Sequence, residues 1–205
     1  VSDELDLLAS LLPLDGLNIV ELGCGAAHMA RKLLQRWPTT HLTGLEVDAV
    51  QHAKNLQRPQ ERLSFVAAGA QAVPAPDARF DLALMLKSLH HVPMPLMAQA
   101  LGEVARVLRP GGHLYVSEPV YDGPLNDVVK LYNDEGVVRR AAQAAVDAAL
   151  AAPGSPWQQV AERHFDMAVD FASFDDFETR MMRPSFADHQ LDDAKIARVR
   201  AAFEP

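Results

Sequence analysis

Apolar and polar positions change period repeatedly along this chain, and each change marks an element. Residues 2–12 (SDELDLLASLL) carry leucines at helical spacing behind a Ser2/Asp3 start signal, and Pro13 closes the segment. Residues 17–22 (LNIVEL) read as a buried strand with one acid, Glu21, inside it. Helical period returns over 26–37 and stops at Pro38. A second strand is predicted over 40–46 (THLTGLE), then a helix over 49–57 that ends ahead of Pro59. A third short strand follows at 63–67 (LSFVA), and a fourth at 80–86 (FDLALML). Residues 94–108 place Leu, Met and Val on one helical face. The RPGG at 109–112 reads as a turn and 113–118 (HLYVSE) as a fifth strand.

Strands alternating with helices through short links make an α/β chain: a mostly parallel sheet, doubly wound, with helices on both faces. After residue 118 the rhythm breaks. A loop (EPVYDGPLND), a long alanine-rich helix at about 127–151 and a turn around PGSP form an insertion able to cover a ligand crevice. Residues 164–171 (HFDMAVDF) read as a sixth strand, with helices over about 173–182 and 191–203. The expectation is a single domain over 1–205: a core of about 14–118, the insertion at about 119–160, and a C-terminal part over 161–205.

Composition narrows the classes. With 49% hydrophobic and 22% charged residues in a chain of 205, a packed core is expected. The formal charge of −8 disfavours a broad nucleic-acid or anionic-membrane footprint, so neither partner is expected. Cys24 is the single cysteine, which excludes an intramolecular disulfide and suits a reducing cytoplasm. Charges or prolines interrupt every apolar run before it reaches bilayer length. A cytoplasmic protein is expected, with a homodimer left open.

The candidate chemistry gathers around NIVELGCGAAHMARKLL, residues 18–34. Gly23 and Gly25 follow the first strand, at the edge where open α/β sheets bind ligands. Glycines there let a backbone approach a ligand closely. A phosphate loop needs GxxxxGK[ST], and no such lysine follows. A dinucleotide turn needs GxGxxG, and His28 stands at the third position. Glu21, two residues before the first glycine, instead suits a cofactor bearing an ammonium group. Glu46, closing the second strand 21 residues after Gly25, can accept two hydrogen bonds from a vicinal diol.

In this form VELGCGAAHMA resembles the first motif of class I S-adenosylmethionine (SAM)-dependent methyltransferases, with the small-molecule UbiE-like (type 11) group as nearest likeness. LTGLEVD, VPAPDARFDLALMLKSLHHV and ALGEVARVLRPGGHLYVSEP resemble later motifs of that family in the same order, over roughly residues 17–118. The resemblance implies a Rossmann-like methyltransferase fold, SAM as cofactor and S-adenosylhomocysteine as product. It places the amino-acid end of SAM on Glu21, Gly23, Cys24 and Gly25, and the ribose on Glu46 beside Val47. Gly69, Ala70, Gln71 and Lys87 complete the expected cofactor site. There are two departures. Ala27 stands where relatives often carry a third glycine, and Gly69 stands where they usually carry an adenine-binding Asp. Adenine is then left to backbone near Ala70 and Gln71 or to the Gln71 side chain, and a catalytically weak or inactive SAM-fold binder remains an alternative. A sheet of this family normally has seven strands, of which six are legible here.

Methyl transfer mainly requires in-line positioning, with a general base only for a poor nucleophile. The end of the fourth strand, MLKSLHHV, should face the methyl group. His90 and His91 are candidate general bases there, although both also read as residues that pack or cap a helix start. Ser88, Glu118, Tyr121 and Tyr132 are candidates to line a pocket for a small-molecule acceptor; the tyrosines read equally as packing for the insertion. No metal is expected, because adjacent histidines lack the i,i+4 spacing of a helical chelate. The family's nucleic-acid amino-methyltransferases carry Asn/Asp-Pro-Pro-aromatic where this chain has LKSLHH, so an acceptor of that class is not expected either.

Overall fold

The computed structural model describes residues 1–185 and 187–204. In chain order the elements are α1 (Glu4–Leu11), β1 (Asn18–Leu22), α2 (His28–Arg36), β2 (His41–Leu45), α3 (Ala49–Leu56) and β3 (Leu63–Val66). Then come β4 (Phe80–Leu86), α4 (Met97–Val107), β5 (Leu108–Ser117), α5 (Pro124–Val129), α6 (Gly136–Ala151), α7 (Phe174–Phe177) and α8 (Asp193–Phe203). The five strands form one parallel sheet in the order β3-β2-β1-β4-β5. Strand alternation decides the layers. Ile19, Leu42, Leu82 and Leu84 face α1 and α2 through Leu5, Leu8, Ala30 and Leu33. Val20, Leu22, Ala83 and Met85 face α4 and α6 through Met97, Leu101, Val104 and Ala142. The expected doubly wound parallel sheet is therefore present, with helices on both faces.

From β1 the chain runs to β2 and β3 on one side, whereas β4 and β5 lie on the other. The order reverses between β1 and β4, so the crevice outside their carboxyl ends is the switch point where such folds bind ligands. A separate apolar cluster, built on Val129, Tyr132, Phe174, Phe177, Met182 and Val199, joins α5, α7 and α8.

Three elements differ from their sequence reading. Residues 164–171, read as a sixth strand, are irregular, with Met167 and Val169 exposed. Their alternation defines a side-chain face, but a strand exists only through ladder bonds, and this segment pairs with none. The alanine-rich helix begins later than expected and is preceded by a separate short helix, α5. The break has a local cause. Asp134 Oδ1 accepts from Gly136 N at 3.0 Å, and a Cβ on Gly136 would sit 2.8 Å from the Tyr121 ring. Finally, RPGG lies inside β5 as a bulge: Phe80 pairs with Leu108 and Leu82 already with His113.

Among the described residues no helix is long and apolar enough to cross a membrane. Leu84 is fully buried on β4, in the middle of the sheet. Leu84→Ala is expected to lower the unfolding free energy by about 2–5 kcal/mol, read as a reduced urea midpoint at unchanged slope.

Candidate active site

At the switch point β1 gives way to a turn through Gly23 and Gly25, both at positive φ (73° and 50°). A Cβ on Gly23 would lie 2.8 Å from the Cβ of Ser88, so this turn rests directly on the chain leaving β4. Ser88 seals the contact by donating its hydroxyl to the Leu22 carbonyl at 2.6 Å. The third position, Ala27, also adopts a left-handed conformation (φ 56°) just ahead of α2. That geometry explains a family preference for glycine there and costs an alanine about 1–2 kcal/mol. Gly25 is fixed from two sides: its N–H donates to Glu46 Oε2 at 2.7 Å, and its carbonyl accepts from the buried Asn55 Nδ2 of α3 at 2.8 Å.

Three buried carboxylates crowd this turn. Glu46 Oε1 accepts a second backbone N–H, from Asp48, at 2.8 Å. Glu4 of α1, 1% exposed, is ion-paired with Lys87 and accepts from the Tyr115 hydroxyl at 3.3 Å. Lys87 therefore aims its ammonium at α1, from a backbone with φ 55°. Glu21, 3% exposed, has an Oε2 with no partner among the described residues. Burial first, then the Glu4 and Glu46 charges, push its carboxyl from an ordinary 4.5 up to about 8. Burial and the same negative neighbourhood push the Cys24 thiol up to about 12, so it is no nucleophile at neutral pH.

On the side expected to face adenine, the Gln71 side chain folds over Gly69. A Cβ at Gly69 would meet Gln71 Oε1 at 2.5 Å, so this amide fills the space that a side chain at position 69 would enter. Ala70 is buried, and the Gln71 carbonyl accepts from Gln99 Nε2 at 2.9 Å. Val47, next to Glu46, is 70% exposed.

A short 3-10 turn, Leu89–His91, follows β4. Glu118, just past β5, holds this turn by accepting from Leu89 N at 2.9 Å and pairing through Oε2 with His90 Nδ1. His90 is 4% exposed, and its Nε2 lies 3.9 Å from Glu135 Oε2. Glu135 is in turn bonded by Arg139 at 2.6 Å, and the guanidinium lowers its pKa against the burial that raises it. His91 is exposed, yet desolvation by the surrounding protein and then the His90 charge lower its pKa. The tyrosines are engaged elsewhere. Tyr121 donates to Asp134 at 2.6 Å and stacks over Gly136; Tyr132 is buried, with its hydroxyl 3.3 Å from the Met181 carbonyl.

Glu21, Gly23, Cys24, Gly25 and Glu46 thus converge around one turn, and Ser88 supports that turn from below. His90 and His91 converge with Glu118, whereas Tyr121 and Tyr132 pack the insertion. Glu4, Asn55, Glu135 and Arg139 were not legible as site residues. Only the NDEG helix break at 133–136 could have directed attention to Glu135. A hollow of about 300 Å³ lies at the insertion, lined by Val120, Asp122, Gly123 and His164, and Arg139 bonds the Val120 carbonyl on its rim.

Residues 19–112 match the family model described as a methyltransferase domain. The chain is 34% identical over 119 residues to a 27-O-demethylrifamycin SV methyltransferase of Amycolatopsis mediterranei (strain S699), covering 55% of this chain and 43% of that one. It is 35% identical over 121 residues to a fatty-acid O-methyltransferase of Mycolicibacterium smegmatis (strain ATCC 700084 / mc(2)155), covering 57% and 43%. Among solved structures, the [4+2]-cyclase SpnF is similar at 33% identity and a TM-score of 0.50, over 55% of this chain and 43% of that chain. The chain spans less than half the length of these relatives. The glycine turn and its two flanking acids thus lie in a segment that resembles a methyltransferase domain.

Proposed function

We propose that this protein binds SAM at the switch point and transfers its methyl group to a small-molecule acceptor, leaving S-adenosylhomocysteine. The observation that carries this reading is the Oε2 of Glu21, buried beside the Gly23–Gly25 turn with no partner among the described residues. A cationic ligand group there supplies the donor that Glu21 Oε2 lacks and a positive charge for the carboxylates that Lys87 does not neutralise. When bound, SAM supplies an electrophilic methyl group on a sulfonium that becomes a neutral thioether.

Each residue has a defined task in this reading. Glu21 receives the ammonium, while the backbone of Gly23, Cys24 and Gly25 leaves room for the amino-acid end. Glu46 keeps lone pairs for the ribose hydroxyls after bonding Gly25 and Asp48, since each carboxylate oxygen accepts more than one hydrogen bond. Val47 offers an apolar surface, and Gln71, with Gly69 and Ala70, meets the adenine edge through an amide that both donates and accepts. Lys87 acts indirectly, by neutralising Glu4 so that α1 can stay packed over the site. Ser88 supports the turn. Glu118 fixes the His90–His91 turn on the acceptor side, where these histidines act on the acceptor. Tyr121 and Tyr132 shape the insertion that borders it. The names of the two curated relatives favour a small-molecule acceptor bearing oxygen.

A second reading has its own support. The similar SpnF is a [4+2]-cyclase, and Gly69 stands where the resemblance places an adenine-binding Asp. In that reading the chain binds the cofactor and transfers no methyl group.

Four outcomes test these proposals. SAM or S-adenosylhomocysteine at a hundred times Kd is expected to add about 2.7 kcal/mol of thermal stability, with NAD and NADP adding none. Labelled methyl must then appear in an acceptor; binding without transfer leaves only the second reading. Glu46→Gln is expected to weaken S-adenosylhomocysteine binding roughly 10–100-fold by calorimetry, since charge-assisted bonds are worth about 1.5–3 kcal/mol each. An unchanged Kd removes Glu46 from the site. Lastly, Glu21 binds its proton more tightly folded than unfolded, so stability is full below about pH 4.5 and falls as pH rises toward about 8. Glu21→Gln is expected to flatten that decline in urea titrations across this window; an unaltered slope assigns the decline to other groups.

A further inference from the structure

The turn at His90 and His91 assembles a donor set that the spacing of adjacent histidines does not suggest. Their ring centroids lie 4.1 Å apart. One ring nitrogen of each, together with a Glu135 carboxylate oxygen, falls within a set whose atoms are all within 4.8 Å of one another. Glu118 Oε2 engages His90 Nδ1, which leaves Nε2 directed toward Glu135 Oε2 at 3.9 Å. That separation is too long for a hydrogen bond. It lies a few tenths of an ångström beyond the roughly 3.3–3.6 Å that separates two ligand atoms on a tetrahedral ion bound at about 2.0–2.2 Å. A carboxylate on the far nitrogen of a histidine is also the usual means of fixing its tautomer and orientation toward a metal.

We infer that His90 Nε2, His91 and Glu135 form a site for a divalent transition-metal ion, with Glu118 as the positioning residue behind His90. Two imidazoles and one carboxylate favour zinc, cobalt or ferrous iron over magnesium or calcium, which select oxygen ligands. Three protein ligands leave at least one coordination position open. The local charge is compatible with the ion. Glu118 and Glu135 contribute two negative charges and Arg139, 2.6 Å from Glu135, one positive, so a dication leaves the cluster at +1. The open position therefore favours an anionic oxygen. That last step rests on the methyl-transfer reading: the oxygen is the acceptor's, and the reaction class becomes O-methylation. Metal binding itself does not rest on it.

The test uses the whole chain without SAM or acceptor, so its failure is separate from failure of methyl transfer. Titration with cobalt(II) is expected to saturate at one equivalent with visible d–d absorption, and zinc(II) is expected to displace it. His91→Ala, at an exposed position, and Glu135→Gln are each expected to weaken binding at least ten-fold with unchanged far-UV circular dichroism. Glu118→Gln is expected to weaken it about 10–100-fold. His41→Ala, on an exposed strand start elsewhere, should leave it unchanged. Absence of the cobalt band, or variants at His91 and Glu135 that bind as tightly as the parent, overturns the site. Methyl transfer that survives complete chelation overturns the assignment of the open position to the acceptor.

Discussion

The crevice at the switch point depends on a contact between the glycine turn and the Ser88 side chain. Where the strand order reverses, the chains leaving β1 and β4 part in opposite directions, and at that parting Gly23 rests on Ser88. A methyl group at residue 23 has no space, because its nearest neighbour would be another Cβ at 2.8 Å. The contact fixes the height of the turn, and the turn fixes Gly25, which Glu46 and Asn55 then clamp. Helix α2 starts from this same turn through a strained Ala27. Close packing that leaves no side chain over the turn is thus what gives a ligand access to backbone.

Electrostatics complete what packing begins. Glu4, Glu21 and Glu46 are buried near one another, and each is compensated differently. Lys87 neutralises Glu4, two backbone N–H groups satisfy Glu46, and Glu21 has only its own proton. An unsatisfied buried acid costs stability in the free protein. A site that carries this cost has a binding free energy in reserve for a ligand that brings a donor and a positive charge. Stability in the free state and affinity in the bound state are set against each other at one carboxyl group.

Much of this was legible in the sequence, for physical reasons that differ between elements. β4 occupies the expected 80–86 because its apolar run is bounded by turn residues, and the acids at 21 and 46 stand out because strand ends fix their direction. Residues 164–171 misled because alternation specifies a face and not a ladder partner. Glu4 and Glu135 were illegible for another reason. Each acts on a residue distant in sequence, 83 positions away for Glu4 with Lys87, and no local pattern encodes such a meeting. Gln71 over Gly69 is intermediate: the missing acid was evident, but its replacement by a side chain two residues later needed the folded loop.

The two halves of the site differ in origin as well. The glycine turn, Glu21 and Glu46 lie within residues 19–112, the segment that matches the family model, and so do His90 and His91. Their partners do not. Glu118, Glu135 and Arg139 come from the end of β5 and from the turn and helix beyond it. A histidine pair within residues 19–112 therefore meets carboxylates that follow that segment in the chain. Bonded only to Glu118, His90 would be an oriented packing residue. With Glu135 facing its other nitrogen, it becomes part of a polar cluster. The surroundings of the histidines are in this way set by the break between α5 and α6, which carries Glu135 to them and lets Arg139 hold it there.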